Sequence, residues 1–186
     1  MKIIVTGGCG FIGINLIKNL LKNTKHQILN IDNLGRSSMP EWLNAYKKKQ
    51  RYSFVKLDIS NQEKVKKTII NFSPDLIFHL AAESHVDDSI KNPKKTVTTN
   101  VFGTYNLLEA SKSLLKKYSD KIKKFRFIHI STDEVYGSLS HNQSSCNEKT
   151  QYKPNSPYSA SKASSDHPVR AWHITFGVPV ITTHCC

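Results

Sequence analysis

The chain predicts an α/β fold, a doubly wound parallel sheet with helices on both faces. Three observations carry this prediction. Short apolar runs alternate six times with segments whose apolar residues recur at helical spacing. Several of the runs are apolar almost throughout, as strands buried on both faces must be. Half of the eight glycines, Gly7, Gly8, Gly10 and Gly13, fall within seven residues directly after the first run.

The elements follow in order. Residues 2–6 (KIIVT) form the first strand and FIGINLIKNLLKN the helix behind it. QILNID is the second strand, and NLGRSSMP a loop. MPEWLNAYKKK is expected as a helix, YSFVKLDI as a strand and NQEKVKKTIINF as a helix. PDLIFHLA is the fourth strand. A polar loop containing Asn92-Pro93 leads from it into one long helix, TNVFGTYNLLEASKSLLKKY. FRFIHIS is the fifth strand, followed by a loop rich in Ser and Asn from Ser138 to Ser156. SPYSASKASSDHPVRAWHITFG is largely helical, and VPVITTHCC is the sixth strand. No shift in Gly or Pro usage marks a boundary, so residues 1–186 read as a single domain.

Composition excludes several classes. Of 27 basic residues against 14 acidic ones, only four are Arg (Arg36, Arg51, Arg126, Arg170), and the lysines are scattered over helical faces. Base readout relies on Arg forks, so the charge of +13 reads as solvated surface, with no nucleic-acid partner expected. No apolar run approaches the roughly 20 residues of a membrane helix. MKIIVTGGCGF reaches its glycines too early for a signal peptide, so a cytoplasmic protein is expected. Cys9, Cys146, Cys185 and Cys186 form no CxxC pair, and the eight histidines form no HExxH. Neither a metal site nor a disulfide framework is expected. His79 and His85 flank a strand end and a turn, and packing or loop roles suit them.

The glycine loop is the first chemical signal. Gly7-x-x-Gly10-x-x-Gly13 permits a tight turn, lets backbone N–H groups approach a pyrophosphate, and lets helix pack closely on strand. Asp32 ends the second strand, 19 residues after Gly13. An acid there accepts hydrogen bonds from ribose hydroxyls and repels a 2′-phosphate, which favours NAD over NADP. Asp58, ending the third strand, is placed to meet the adenine edge.

A Tyr with a Lys four residues later is the second signal, and it occurs twice. Tyr52 and Lys56 lie on a predicted strand, where they are roughly 13 Å apart and cannot converge. Tyr158 and Lys162 lie one turn apart on a predicted helix. There an ammonium is expected to lower the Tyr pKa from about 10 toward working pH, making the phenol a base for a hydroxyl proton. The third signal is Ser131-Thr132-Asp133-Glu134-Val135-Tyr136-Gly137, at the carboxyl end of the fifth strand, where open α/β sheets bind ligands. Partial burial of adjacent carboxylates would raise at least one pKa and supply an acid beside a base. A helix N-cap role for Thr132 or Asp133 suits the same residues equally well.

TGGCGFIG, LAAESHVD, TNVFGTYNLLEA, STDEVYG and YSASKASSDH together resemble the extended short-chain dehydrogenase/reductase family of nucleotide-sugar epimerases and dehydratases. The Thr-Asp-Glu triplet narrows the resemblance to its dTDP-glucose 4,6-dehydratase branch. The resemblance implies a Rossmann-type sheet and an NAD site. That site would be lined by Gly7, Gly10, Phe11, Ile12, Gly13, Asp32, Asn33, Asp58, Ile59, Ala81, Ala82, Thr99, Tyr158 and Lys162, with Ser84 and Thr132 on the sugar nucleotide. It implies that Tyr158, assisted by Lys162, takes the C4 hydroxyl proton as hydride passes to NAD. Glu134 would then take the C5 proton while Asp133 protonates the departing C6 hydroxyl, and hydride returns to C6. It further implies a homodimer paired through the two long helices.

Three departures from the family pattern stand out. Asp88 replaces an Arg, Pro168 falls within the helix that carries Tyr158, and His184-Cys185-Cys186 replaces Asn-Cys-Ser. The family also continues with another strand and a carboxyl-terminal substrate domain, which this sequence lacks. Two readings follow: a dehydratase, with a 4-epimerase as its enzymatic rival, or an NAD-binding remnant without turnover.

Overall fold

The computed structural model describes residues 1–139 and 145–185. Residues 140–144 of the predicted Ser- and Asn-rich loop and Cys186 of the predicted last strand lie outside the described residues. Six strands form one sheet: β1 (Lys2–Thr6), β2 (Gln27–Asp32), β3 (Tyr52–Lys56), β4 (Leu76–His79), β5 (Arg126–Thr132) and β6 (Val180–Cys185). All pair in parallel, in the order β3-β2-β1-β4-β5-β6. This is the doubly wound arrangement, with its switch in strand order between β1 and β4.

The alternation of side chains along a strand divides the core in two. Ile3, Val5 and Ile28 face α1 (Phe11–Asn23), whose Ile14, Ile17 and Leu21 are buried against them. Ile4, Leu29, Ile31 and Ile77 face the other way, onto a larger cluster. That cluster is supplied by α2 (Gln62–Phe72), α5 (Gly103–Lys117) and Val169 of α6 (Pro157–Phe176). Burial of both faces explains why KIIVT carries no polar alternation beyond Lys2 and Thr6.

Several predicted elements differ in extent. MPEWLNAYKKK is a 3-10 helix over Pro40–Tyr46, in which only Leu43 is buried. YSFVKLDI pairs only as far as Lys56, and PDLIFHLA only over Leu76–His79. The polar loop around Asn92-Pro93 is instead two short helices, α3 (Val86–Lys91) and α4 (Pro93–Val97). Asn92 separates them, its side chain accepting from the Lys95 N–H while Pro93 occupies the first turn. The long helix opens with a π-helical turn, Thr98–Phe102, before α5 proper. Pro168 does not interrupt α6, which runs through it for all 20 residues. The carbonyl deprived of its partner belongs to the exposed Ser164, so water can satisfy it.

Candidate functional site

A cavity of about 650 Å³ opens over the carboxyl ends of the strands. Gly7 and Gly13 let its floor form. Gly7 has φ +69°, and a Cβ on it would lie 2.7 Å from the backbone N and Cα of Ala81. A Cβ on Gly13 would meet the Gly7 carbonyl oxygen, which fixes how tightly α1 packs on β1. Gly10 precedes α1 and no side chain caps that helix, so its first N–H groups remain directed at the cavity. Gly7, Gly10, Phe11, Ile12 and Gly13 all line it. A cradle that side chains would fill, beneath an uncapped helix terminus, fits a dinucleotide pyrophosphate.

Asp32 lines the same cavity, yet it is only 6% exposed. One carboxylate oxygen accepts from the Cys9 N–H at 2.9 Å. The other accepts from the Leu34 N–H and the Ser38 hydroxyl, each at 2.8 Å. Three of roughly four acceptor positions are thus engaged by protein, and one remains for a ribose hydroxyl. Burial, with the charge of Asp32 adding to it, pushes the Cys9 thiol up to about 11.

Asn33, Ile59, Ala81, Ala82, Ser84 and Thr99 also line the cavity. Asp58 does not. One oxygen of its exposed carboxylate accepts from the Ser60 N–H at 2.8 Å, holding the turn before α2 between the lining residues Leu57 and Ile59. His79 is fully buried beneath the floor. Thr104 donates to the Asn100 carbonyl, so His79 Nε2–H donates to Thr104 and its Nδ1 accepts from Thr6. This is the packing role expected of it.

Thr132, Tyr158 and Lys162 converge on the far wall. Ser156 starts α6 there through a reciprocal capping box with Ser159, with Pro157 in the first turn. Lys162 is 5% exposed, and its Nζ donates to the Ile130 carbonyl at 2.5 Å. Burial lowers its pKa to about 8, against the pull of Asp166 and Cys185 in the other direction. The expected lowering of the Tyr158 pKa is overturned. Burial raises it, a hydrogen bond with Thr132 pulls it back, and the charges of Glu134 and Asp133 raise it further. The ammonium sits on a backbone carbonyl, and desolvation dominates at the phenol.

Asp133 and Glu134 stand on a 3-10 turn, Asp133–Tyr136, beside Thr132. Both are exposed and neither lines the cavity, so the expected partial burial is corrected: the turn carries them outward from the end of β5. Thr132 caps this turn, accepting from the Glu134 N–H at 3.3 Å and donating to Asp133 at 3.4 Å. The other Tyr–Lys pair lies on β3, as expected. Tyr52 accepts from Asn30 there, while Lys56 is exposed.

Two groups had no motif to announce them. Asp166, one turn beyond Lys162, is 6% exposed and accepts from His129 Nε2 at 3.0 Å, Ser131 at 2.8 Å and Tyr152 at 2.9 Å. Burial pushes its carboxyl up, but the hydrogen bonds from His129, Ser131 and Tyr152 outweigh this and hold it below the ordinary range. His184 donates to the Tyr152 oxygen at 2.8 Å, extending the network to β6. The second group bridges the cavity mouth: Arg36 meets Asp88, and Ser37 meets His85 at 2.7 Å. The i,i+4 spacing of Lys162 and Asp166 on one helix face was a usable signal for the first. No local signal existed for the second.

A parallel sheet of this order, a glycine cradle at its first crossover and a Tyr–Lys pair on the wall define a dinucleotide-binding protein of the short-chain dehydrogenase/reductase class. The chain belongs to the family described as GDP-mannose 4,6 dehydratase, whose model matches residues 4–186. It is 46% identical to a dTDP-glucose 4,6-dehydratase of Salmonella typhimurium, covering 100% of this chain and 54% of that protein. A Neisseria meningitidis dTDP-glucose 4,6-dehydratase is 45% identical, with 99% and 52% covered. Among solved structures, the dTDP-glucose 4,6-dehydratase DesIV of Streptomyces venezuelae, with NAD bound, superimposes with a TM-score of 0.89 at 37% identity. That match covers 100% of this chain and 56% of DesIV. A UDP-glucose 4-epimerase of Thermotoga maritima gives 0.85 at 28%, with 99% and 55% covered. The chain spans about half the length of the curated relatives it matches.

Proposed function

We propose that this chain carries the cofactor site and catalytic residues of an NAD-dependent nucleotide-sugar 4,6-dehydratase acting on dTDP-glucose. The observation that carries the reading is the convergence of Thr132, Tyr158 and Lys162 on the wall of the cavity floored by the glycine cradle. NAD, when bound, would supply the hydride acceptor for oxidation at C4 of the sugar. The N–H groups opening α1 hold its pyrophosphate, and the free acceptor position of Asp32 takes a ribose hydroxyl while its charge repels a 2′-phosphate. Tyr158 takes the C4 hydroxyl proton, and Thr132 positions the same oxygen. Lys162, anchored on the Ile130 carbonyl, stands one helical turn beyond Tyr158 on the same wall. Elimination across C5 and C6 needs an acid and a base together, and Asp133 and Glu134 are the carboxylates adjacent to Thr132. Their exposure suits a sugar seated over the turn, outside the dinucleotide cavity itself.

The partner of the same reading is a second copy of the chain. Tyr105 and Trp172 pack edge to face across α5 and α6, with ring centroids 5.7 Å apart. Phe102, Ile174 and Phe176 stand exposed on the same helix pair and its leading turn, an apolar face suited to a homodimer. Sedimentation analysis tests it; a monomer at micromolar concentration refutes it. No helix among the described residues is long and apolar enough to cross a membrane, and a cytoplasmic setting suits a sugar-nucleotide enzyme.

The function is tested with NAD and dTDP-glucose by single-turnover absorbance of NADH and analysis for a 4-keto-6-deoxy product. Tyr158→Phe should abolish NADH formation, whereas Glu134→Gln should spare oxidation and block elimination. NAD binding without turnover by residues 1–186 would favour the binding-module reading. NADH formation at the normal rate in Tyr158→Phe would remove the assignment of the base.

A further inference from the structure

We propose that Asp88 determines cofactor specificity by holding Arg36 away from the ribose end of the cavity, a role that rests on the NAD reading above. The loop after β2 is curled around Asp32, because Leu34 and Ser38 both donate to the same carboxylate oxygen. Within it the Ser38 N–H donates to the Gly35 carbonyl at 3.0 Å, a four-residue turn with Arg36 and Ser37 at its tip. Arg36 is therefore only two Cα steps of about 3.8 Å from a residue that touches Asp32.

An arginine near this ribose is the usual acceptor of a 2′-phosphate. Arg36 is such a residue, and besides Lys162 it is the only Lys or Arg lining the cavity among the described residues. Lys162 lies at the opposite wall, committed to the Ile130 carbonyl. The structure turns Arg36 outward across the mouth. Its Nη1 lies 3.0 and 2.9 Å from the two carboxylate oxygens of Asp88, with Arg36 79% and Asp88 32% exposed. Ser37 makes the parallel contact to His85, so both tip side chains dock on the start of α3 rather than on the ribose end.

The loop thus contains both an acid that suits a ribose hydroxyl and a base that suits a phosphate. Asp88 neutralises the base. Releasing Arg36 removes competition from an exposed pair, worth at most about fivefold in an equilibrium constant.

The experiment is calorimetric titration of NAD and of NADP into the unsubstituted chain, Asp88→Asn, Arg36→Ala and the double variant. Asp88→Asn should raise the NADP affinity relative to NAD by about fivefold, and adding Arg36→Ala should cancel that gain. An unchanged ratio in Asp88→Asn overturns the proposal. So does a gain that persists in the double variant, because the effect would then not pass through Arg36. Failure of the unsubstituted chain to bind NAD is a different result: it overturns the cofactor reading, and the proposal with it.

Discussion

Replacing Asp166 by Asn isolates the charge at the centre of the network behind Tyr158 and Lys162. The amide keeps the size of the carboxyl and one of its acceptors. Its oxygen can still accept from Ser131 and Tyr152, which share one carboxylate oxygen in the native chain. Its NH2 then faces His129 Nε2, which can accept if the imidazole moves its proton to Nδ1, an atom without a hydrogen-bond partner among the described residues. Hydrogen bonds are therefore retained in number and lost in strength. Passing from charge-assisted to neutral costs about 1 kcal/mol for each of three bonds, hence about 3 kcal/mol in all. This matches the usual cost of about 3–5 kcal/mol for removing one member of a buried charged pair. The charge left behind is that of Lys162, already lowered to about 8 by burial, with Asp166 first among the groups that oppose the shift. Its titration should move further down in the variant. Urea unfolding at pH 7 measures the stability, and side-chain lysine NMR follows the Lys162 titration. A loss under about 1 kcal/mol with the Lys162 midpoint unmoved would refute the electrostatic account.

Two further outcomes follow from the geometry. Gly7→Ala places a Cβ at positive φ and 2.7 Å from the Ala81 backbone, so neither the side chain nor the strand end can yield cheaply. Stability should fall by about 1–3 kcal/mol and NAD binding should be lost, read by thermal melting and cofactor titration. Burial and the charge of Lys162 lower the His129 pKa to about 4, against an ordinary value of 6.5. Between those values the unfolded chain binds the proton and the folded chain does not, so stability is complete above pH 6.5 and is lost as pH falls toward 4. The loss attributable to His129 approaches about 3 kcal/mol at the acid end of the window. The burial of His79 acts in the same direction. Urea midpoints at pH 7.5 and pH 5 should differ accordingly, and His129→Gln should flatten the dependence.

Local chemistry made much of the molecule readable from its residues. KIIVT and QILNID are apolar enough to be strands only where both faces are covered, which already implies a parallel sheet flanked by helices. Gly7, Gly10 and Gly13 with Asp32 announce a dinucleotide cradle because close backbone approach and an acid at the next strand end are requirements set within some 25 residues. Tyr158 and Lys162 were separable from Tyr52 and Lys56 because helix and strand periods decide which side chains share a face. What escaped was decided by contacts between distant segments. Whether the Tyr158 phenol is eased or penalised depends on what packs around it and where the Lys162 ammonium is tethered, and here burial and the Ile130 carbonyl prevail. Asp133 and Glu134 ride a 3-10 turn out of the cavity, although both follow directly on a strand end in the sequence. Asp166 becomes a hub only because β5, α6 and the segment carrying Tyr152 meet there, and Arg36 meets Asp88 only because the loop after β2 and the start of α3, 52 residues apart at these two positions, share one cavity mouth. Propensity and periodicity act over a few residues, so they determine elements. The electrostatic state of a side chain depends on neighbours that only the folded chain brings within reach, because desolvation and charge–charge coupling fall off over a few ångströms of space rather than of sequence.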